Sequence, residues 1–66
     1  MNAKEVVEEY LSKNNTTLSY FNGPIHAAIQ IRRWGYHWGI MGEPTYDHFD
    51  NEFLDLYVYL NTGVIP

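Results

Sequence analysis

The sequence predicts an all-α fold, in which three helices form one compact domain over residues 1–66. Three segments place apolar residues at helical spacing, so each would present one apolar face to a common core. A run of asparagines and threonines separates the first two segments, and a connection with two glycines and a proline separates the last two. The alternative is an α+β fold, with the N-terminal helix packed on a small antiparallel sheet, because the later segments also contain alternating runs.

The first helix is expected at about residues 3–13. Asn2 and Glu5 are spaced as in a variant of the capping box, which satisfies free amides at the start of a helix. The apolar face consists of Ala3, Val6, Val7, Tyr10 and Leu11. Lys13 suits the negative end of the helix dipole. Residues 14–17 then end the pattern, because asparagine and threonine side chains compete for backbone hydrogen bonds.

The second helix is expected at residues 24–38. Gly23 and Pro24 suit its entry, because proline is favoured at the first helical position. The apolar side of this pattern consists of Ala27, Ile31, Trp34 and Trp38. Gly35 lies inside the pattern and costs about 1 kcal/mol relative to alanine, so we expect the helix to fray or bend there. The helix should end before residues 39–44, which contain the glycines and the proline of the connection.

A hairpin is the alternative for the middle of the chain. Asn22 and Gly23 suit a two-residue turn, with strands at 17–21 and 25–31. Pro24 weighs against this alternative, because it lacks the amide that would help to close the turn.

The third helix is expected at residues 46–61. Its apolar face consists of Phe49, Phe53, Leu56, Tyr57 and Leu60. Thr45 or Asp47 would cap its start, because a short side-chain oxygen accepts a hydrogen bond from the first turn. Gly63 is placed to end it. Residues 54–60 also alternate as a strand would, but the helical pattern explains the longer run.

The composition excludes several classes of protein. With 45% hydrophobic and 17% aromatic residues, the chain has enough apolar area to fold, although its aromatics exceed what so small a core encloses easily. It has no cysteine, which excludes disulfides and thiol chemistry and favours a cytoplasmic location. The net charge of −4 disfavours nucleic acid and membranes as direct partners and favours a basic protein surface.

Catalysis is not expected. The sequence contains no phosphate-binding loop, nucleophile elbow or zinc-protease motif, and a chain of this length struggles to build a closed pocket. His48 and Glu52 are spaced to share a helix face, and His26 or His37 could add ligands. A solvated cluster is the commoner outcome of such spacing, so we expect neither a metal nor a cofactor.

The acidic and aromatic stretch near the end of the chain is the main candidate for binding. On a helix, Asp47, Asp50 and Asp55 would face outward, with Tyr46 and Tyr59 among them. Spaced carboxylates on a rigid helix imitate a phosphate backbone, and tyrosine adds contact area at low entropic cost. The sequence therefore predicts a non-enzymatic protein that binds a basic groove of a nucleic-acid-processing partner, as an inhibitor of the kind that phages and mobile elements encode.

A second candidate patch contains Arg32, Arg33 and Trp38. These residue types dominate protein-binding hot spots. Together with Trp34, the arginines could instead stack bases and contact phosphates, which would indicate a small nucleic-acid-binding regulator. Two further possibilities stay open: the arginines pair with the protein's own carboxylates, or the surplus aromatics meet in a homodimer.

Overall fold

The computed structural model describes residues 1–44 and 50–66. Within them the elements are α1 (Ala3–Lys13), a short 3-10 turn (Leu18–Tyr20), α2 (Pro24–His37) and α3 (Asn51–Thr62). The prediction of an all-α, three-helix architecture is confirmed, and these residues contain no strand. No helix in this part of the chain has both the length and the apolar character needed to cross a bilayer.

α1 begins and ends where the sequence predicts. The side chain of Asn2 accepts a hydrogen bond from the Glu5 amide, and the Glu5 carboxylate accepts one from the Asn2 amide, both at 2.9 Å. This reciprocal pair is a complete capping box, and it satisfies two amides that a helix start leaves without partners. Val6 and Val7 are buried on the inner face.

α2 occupies the segment for which a hairpin was the alternative, and the hairpin is wrong. Gly23 precedes the helix with φ 106°, a conformation that favours glycine, and Pro24 takes the first helical position. The helix ends at His37, one residue before the predicted end. Trp38 caps it, and its amide donates to the Trp34 carbonyl at 3.0 Å.

α3 begins later than predicted because Asp50 caps it. Asp50 has an extended backbone, and its Oδ1 accepts a hydrogen bond from the Phe53 amide at 2.8 Å. The helix therefore cannot run through this residue from 46, as the apolar pattern indicated. The caps predicted at Thr45 and Asp47 fall on residues that lie outside the described part of the chain. Gly63 ends the helix in the left-handed conformation, as expected.

The core lies between three helices of small cross-section. Its buried apolar residues are Ala3, Val6, Val7, Phe21, Ala27, Ala28, Ile31, Phe53 and Leu56. Tyr10 joins it from α1, with its ring 5.3 Å from Trp34 in an edge-to-face arrangement. α2 packs mainly against α3, and the two run antiparallel, since Pro24 lies near Leu60 while Arg32 contacts Asp50. A core of this size leaves several large apolar side chains at the surface.

Gly35 is required for packing. The connection after α2 folds back, so that the Gly35 carbonyl accepts hydrogen bonds from the amides of Ile40 (2.8 Å) and Met41 (3.0 Å). A Cβ at position 35 would lie 2.6 Å from Cγ of Met41, well inside van der Waals contact. The helix contains a glycine here because the Met41 side chain occupies the space that a Cβ would need.

Replacement of Gly35 by alanine therefore has opposite expected effects in two backgrounds. In the wild type, Gly35→Ala should lower the free energy of unfolding by about 1 to 2 kcal/mol, because overpacking outweighs the better helix propensity of alanine. In a Met41→Ala background the clash is gone, and the same change should be stabilising. Urea unfolding of the four proteins measures this sign change, and the same sign in both backgrounds would contradict the packing argument.

Candidate functional site

Arg32 does not lie on the surface, where its role in a contact patch would place it. Its side chain is 0% exposed, and it forms a two-point contact with Asp50. Nη2 lies 2.6 Å from Oδ2 of that carboxylate, and Nε lies 3.1 Å from Oδ1. The Asp50 side chain is only 15% exposed. Both residues were predicted to contact a partner, and this prediction is corrected: their charges satisfy each other inside the protein.

The same arginine ties together three segments of the chain. Oε1 of Glu52 lies 3.4 Å from Nη2 of Arg32 and also accepts a hydrogen bond from the Gly42 amide at 3.1 Å. Asp50 meanwhile caps α3 through the Phe53 amide. The buried Nη1 of Arg32 has no hydrogen-bond partner among the described residues. The cation is therefore held by two carboxylates at one side of the guanidinium, at the junction of α2, α3 and the connection between them.

The patch predicted from Arg32, Arg33 and Trp34 is divided by the fold. Arg33 is exposed on α2, whereas Arg32 points into the α2–α3 interface. Trp34 is half-buried against Tyr10, so its ring face is not offered for base stacking. Trp38 is exposed just beyond the end of α2. The surface that the nucleic-acid-binding alternative requires is therefore absent from the described residues.

The acidic row predicted for the third helix is also reduced. Asp55 is exposed on α3, as expected, but Asp50 is turned inward to Arg32. Tyr59 is partly buried against the core. Asp47 and Tyr46 lie outside the described residues. Within the described part of this segment, the predicted row retains one outward aspartate.

A shallow apolar groove lies between α2 and α3, and the sequence analysis did not predict it. Ile25, Phe53, Leu54 and Tyr57 line it. Ile25 is 54% exposed and Leu54 is 49% exposed, and Val58, one turn further along α3, is 36% exposed. Large aliphatic side chains this accessible on two adjacent helices form a continuous apolar strip. The signal was present in the sequence, because Leu54 and Val58 are four residues apart and flank Asp55.

The charge around this groove is negative. From its cap to its end, α3 contains Asp50, Glu52 and Asp55 and no basic residue. Arg32 compensates Asp50, so the accessible charges on this helix are Asp55 and Glu52, whose side chain is 46% exposed. We call the surface formed by Ile25, Leu54, Asp55, Tyr57 and Val58 the α2–α3 groove face.

A polar hollow at the other end of the molecule offers little chemistry. Tyr10, Asn14, Asn15, Thr16 and Tyr20 line it. Burial raises the pKa of Tyr10, and the neighbouring Tyr20 adds to this effect, so the phenol stays protonated at neutral pH. In residues 1–44 and 50–66 no three His, Asp or Glu side chains are grouped as a metal ion would require, and His48 is not among these residues.

Comparison with protein-family models, curated proteins and solved structures finds no match to this chain. Its function is therefore argued from its own surface.

The ion pair can be separated from the helix cap by substitution of Asp50. Asp50→Asn retains a good capping side chain but removes the charge, and should lower the free energy of unfolding by about 2 to 3 kcal/mol, because Arg32 stays buried. Asp50→Ala should lose about 1 kcal/mol more with the cap. Thermal or urea unfolding measures both. The matched control is Asp55→Asn on the exposed side of α3, and an equal effect of the two asparagine variants would contradict the pairing.

Proposed function

We propose that this chain is a non-enzymatic protein-binding module that docks a partner through the α2–α3 groove face. The observation that supports this proposal is the open apolar groove itself, with Ile25 and Leu54 about half exposed on either side of it. Both side chains are held on helices whose inner faces are fixed in the core, so the groove is preformed. A preformed apolar groove loses little conformational entropy when a partner covers it.

The energy available from the groove is sufficient for specific binding. Burial of the exposed half of a leucine or isoleucine side chain contributes roughly 1 kcal/mol, so Ile25, Leu54 and Val58 together contribute a few kcal/mol. Tyr57 lies at the base of the groove and adds an aromatic surface of the type found at binding hot spots. Three to four such anchors in one strip are typical of a groove that receives an amphipathic helix.

The charge of this face favours a partner with basic groups beside its apolar ones. Asp55 lies between Leu54 and Val58 in sequence, and α3 provides no cation to pair with it. A symmetric contact between two copies would bring the acidic rims of both α3 helices together, which is unfavourable. We therefore propose a heterologous protein as the occupant. A basic groove of a nucleic-acid-processing protein is one surface of this kind, with Asp55 and Glu52 as its electrostatic contacts.

The test uses two amphipathic helical peptides with the same leucine face, one flanked by lysine and arginine and the other by glutamate. Titration of each into isotope-labelled protein, followed by NMR, should show shifts at the α2–α3 groove face with the basic peptide alone. The double change Leu54→Ser and Val58→Ser should weaken this binding by about tenfold or more, since it removes roughly 1 kcal/mol at each position.

The matched control is Leu18→Ser, because Leu18 is 44% exposed but lies outside the groove face. It should leave binding unchanged. Equal shifts with both peptides, shifts confined to other surfaces, or equal binding by the groove variant and the control would each overturn the proposal. Sedimentation of the free protein adds one more outcome: a dimer that the groove variant abolishes would show that a second copy, and not a basic partner, covers this face.

A further inference from the structure

The turn before α2 contains a reactive pair of residues. Asn22 is followed directly by Gly23, and this is the one asparagine in the sequence with a glycine after it. In such a pair the glycine amide nitrogen can attack the side-chain carbonyl carbon of the asparagine, since no side chain shields the nitrogen. A C–N bond forms, the side-chain amide leaves as ammonia, and the result is a five-membered succinimide. Water then opens the ring to aspartate or isoaspartate, without an oxidant or a reductant.

The structure leaves both reacting groups of this pair unengaged. Asn22 is exposed, and its side-chain amide forms no hydrogen bond with the described residues; only its backbone amide does, donating to Nδ1 of His26 at 3.0 Å. The Gly23 amide likewise has no acceptor among them. The space around the Gly23 Cα is open, because a Cβ built there would meet no atom within 4 Å. Neither the nucleophile nor the carbonyl must give up a hydrogen bond before they react.

The other five asparagines are held differently and serve as internal controls; they are Asn2, Asn14, Asn15, Asn51 and Asn61. The side-chain oxygen of Asn2 accepts from the Glu5 amide, and the side-chain nitrogen of Asn14 donates to the Tyr10 carbonyl. The amide that follows Asn15 donates to the Leu11 carbonyl at 3.1 Å.

Asn51 and Asn61 lie inside α3 and precede residues with side chains, Glu52 and Thr62. Helical backbone and a branched or long neighbour both hinder ring closure. We propose that Asn22 is a modification site, at which the protein deamidates itself to a mixture of aspartate and isoaspartate.

The modification would change the entry to α2. Isoaspartate inserts an extra methylene into the backbone between Phe21, which is buried in the core, and Gly23, whose carbonyl accepts the first hydrogen bond of the helix from Ala27 at 3.1 Å. The spacing between the core anchor and the helix start would therefore change. Aspartate, in contrast, keeps the backbone and adds a negative charge before a helix whose first turn has no acidic residue, which is electrostatically favourable.

The experiment is incubation of the folded protein in mildly alkaline buffer, followed by peptide mass spectrometry and enzymatic labelling of isoaspartate. The expected result is the mass shift of an amide converted to an acid at Asn22 before any other asparagine, together with isoaspartate labelling that Asn22→Gln abolishes. Purified isoaspartate product should melt at a lower temperature than the wild type, while Asn22→Asp should not.

Two outcomes would overturn the proposal. One is an Asn22 that converts no faster than the asparagines of α3 in the folded protein. The other is an Asn22 that converts in urea-unfolded protein but not in folded protein, because the native turn would then protect the pair that it is proposed to expose.

Discussion

The contact between Arg32 and Asp50 is the constraint on which the rest of the structure depends. Asp50 uses one carboxylate for two tasks: it caps α3 and it neutralises the buried guanidinium of α2. Glu52 adds the connection at Gly42 to the same cation. A buried cation is costly unless it is paired, so the position of α3 along α2 is restricted to one that brings these carboxylates to Arg32. Ion pairs of this kind contribute to register more reliably than to net stability.

The groove face follows from this restriction. With α3 anchored at its first turn, Phe53 and Leu56 enter the core while Leu54 and Val58 are left outside. The core is small, with alanines at several inner positions of α1 and α2, and it has no room for these side chains. The surface proposed for protein binding is thus the apolar remainder of α3 after its core and its ion pair are satisfied.

The sequence predicted the architecture well because caps and apolar periodicity are local. Asn2 with Glu5, Pro24 and Gly63 define helix ends through contacts within a few residues, and each was found as expected. The start of α3 was wrong because Asp50 lies within an apolar pattern that continues on both sides of it, and a pattern does not show which acid will cap. The fate of Arg32 could not be predicted in the same way. Its burial depends on Asp50, which is 18 residues away and meets it only in the folded chain. Gly35 was expected to bend the helix, whereas the structure gives it to Met41, a contact that periodicity does not contain.

The most direct test of this account is the exchange of the arginine Nε–H protons with water, observed by NMR. Arg32 and Arg33 are adjacent on one helix, but Arg32 is buried against Asp50 and Arg33 is exposed. The account predicts a slowly exchanging, hydrogen-bonded signal for Arg32 that becomes fast in the Asp50→Asn variant, beside a fast signal for Arg33 in both proteins. Equally fast exchange of the two arginines in the wild type would contradict it, because Arg32 would then be a surface cation and the position of α3 would have another cause.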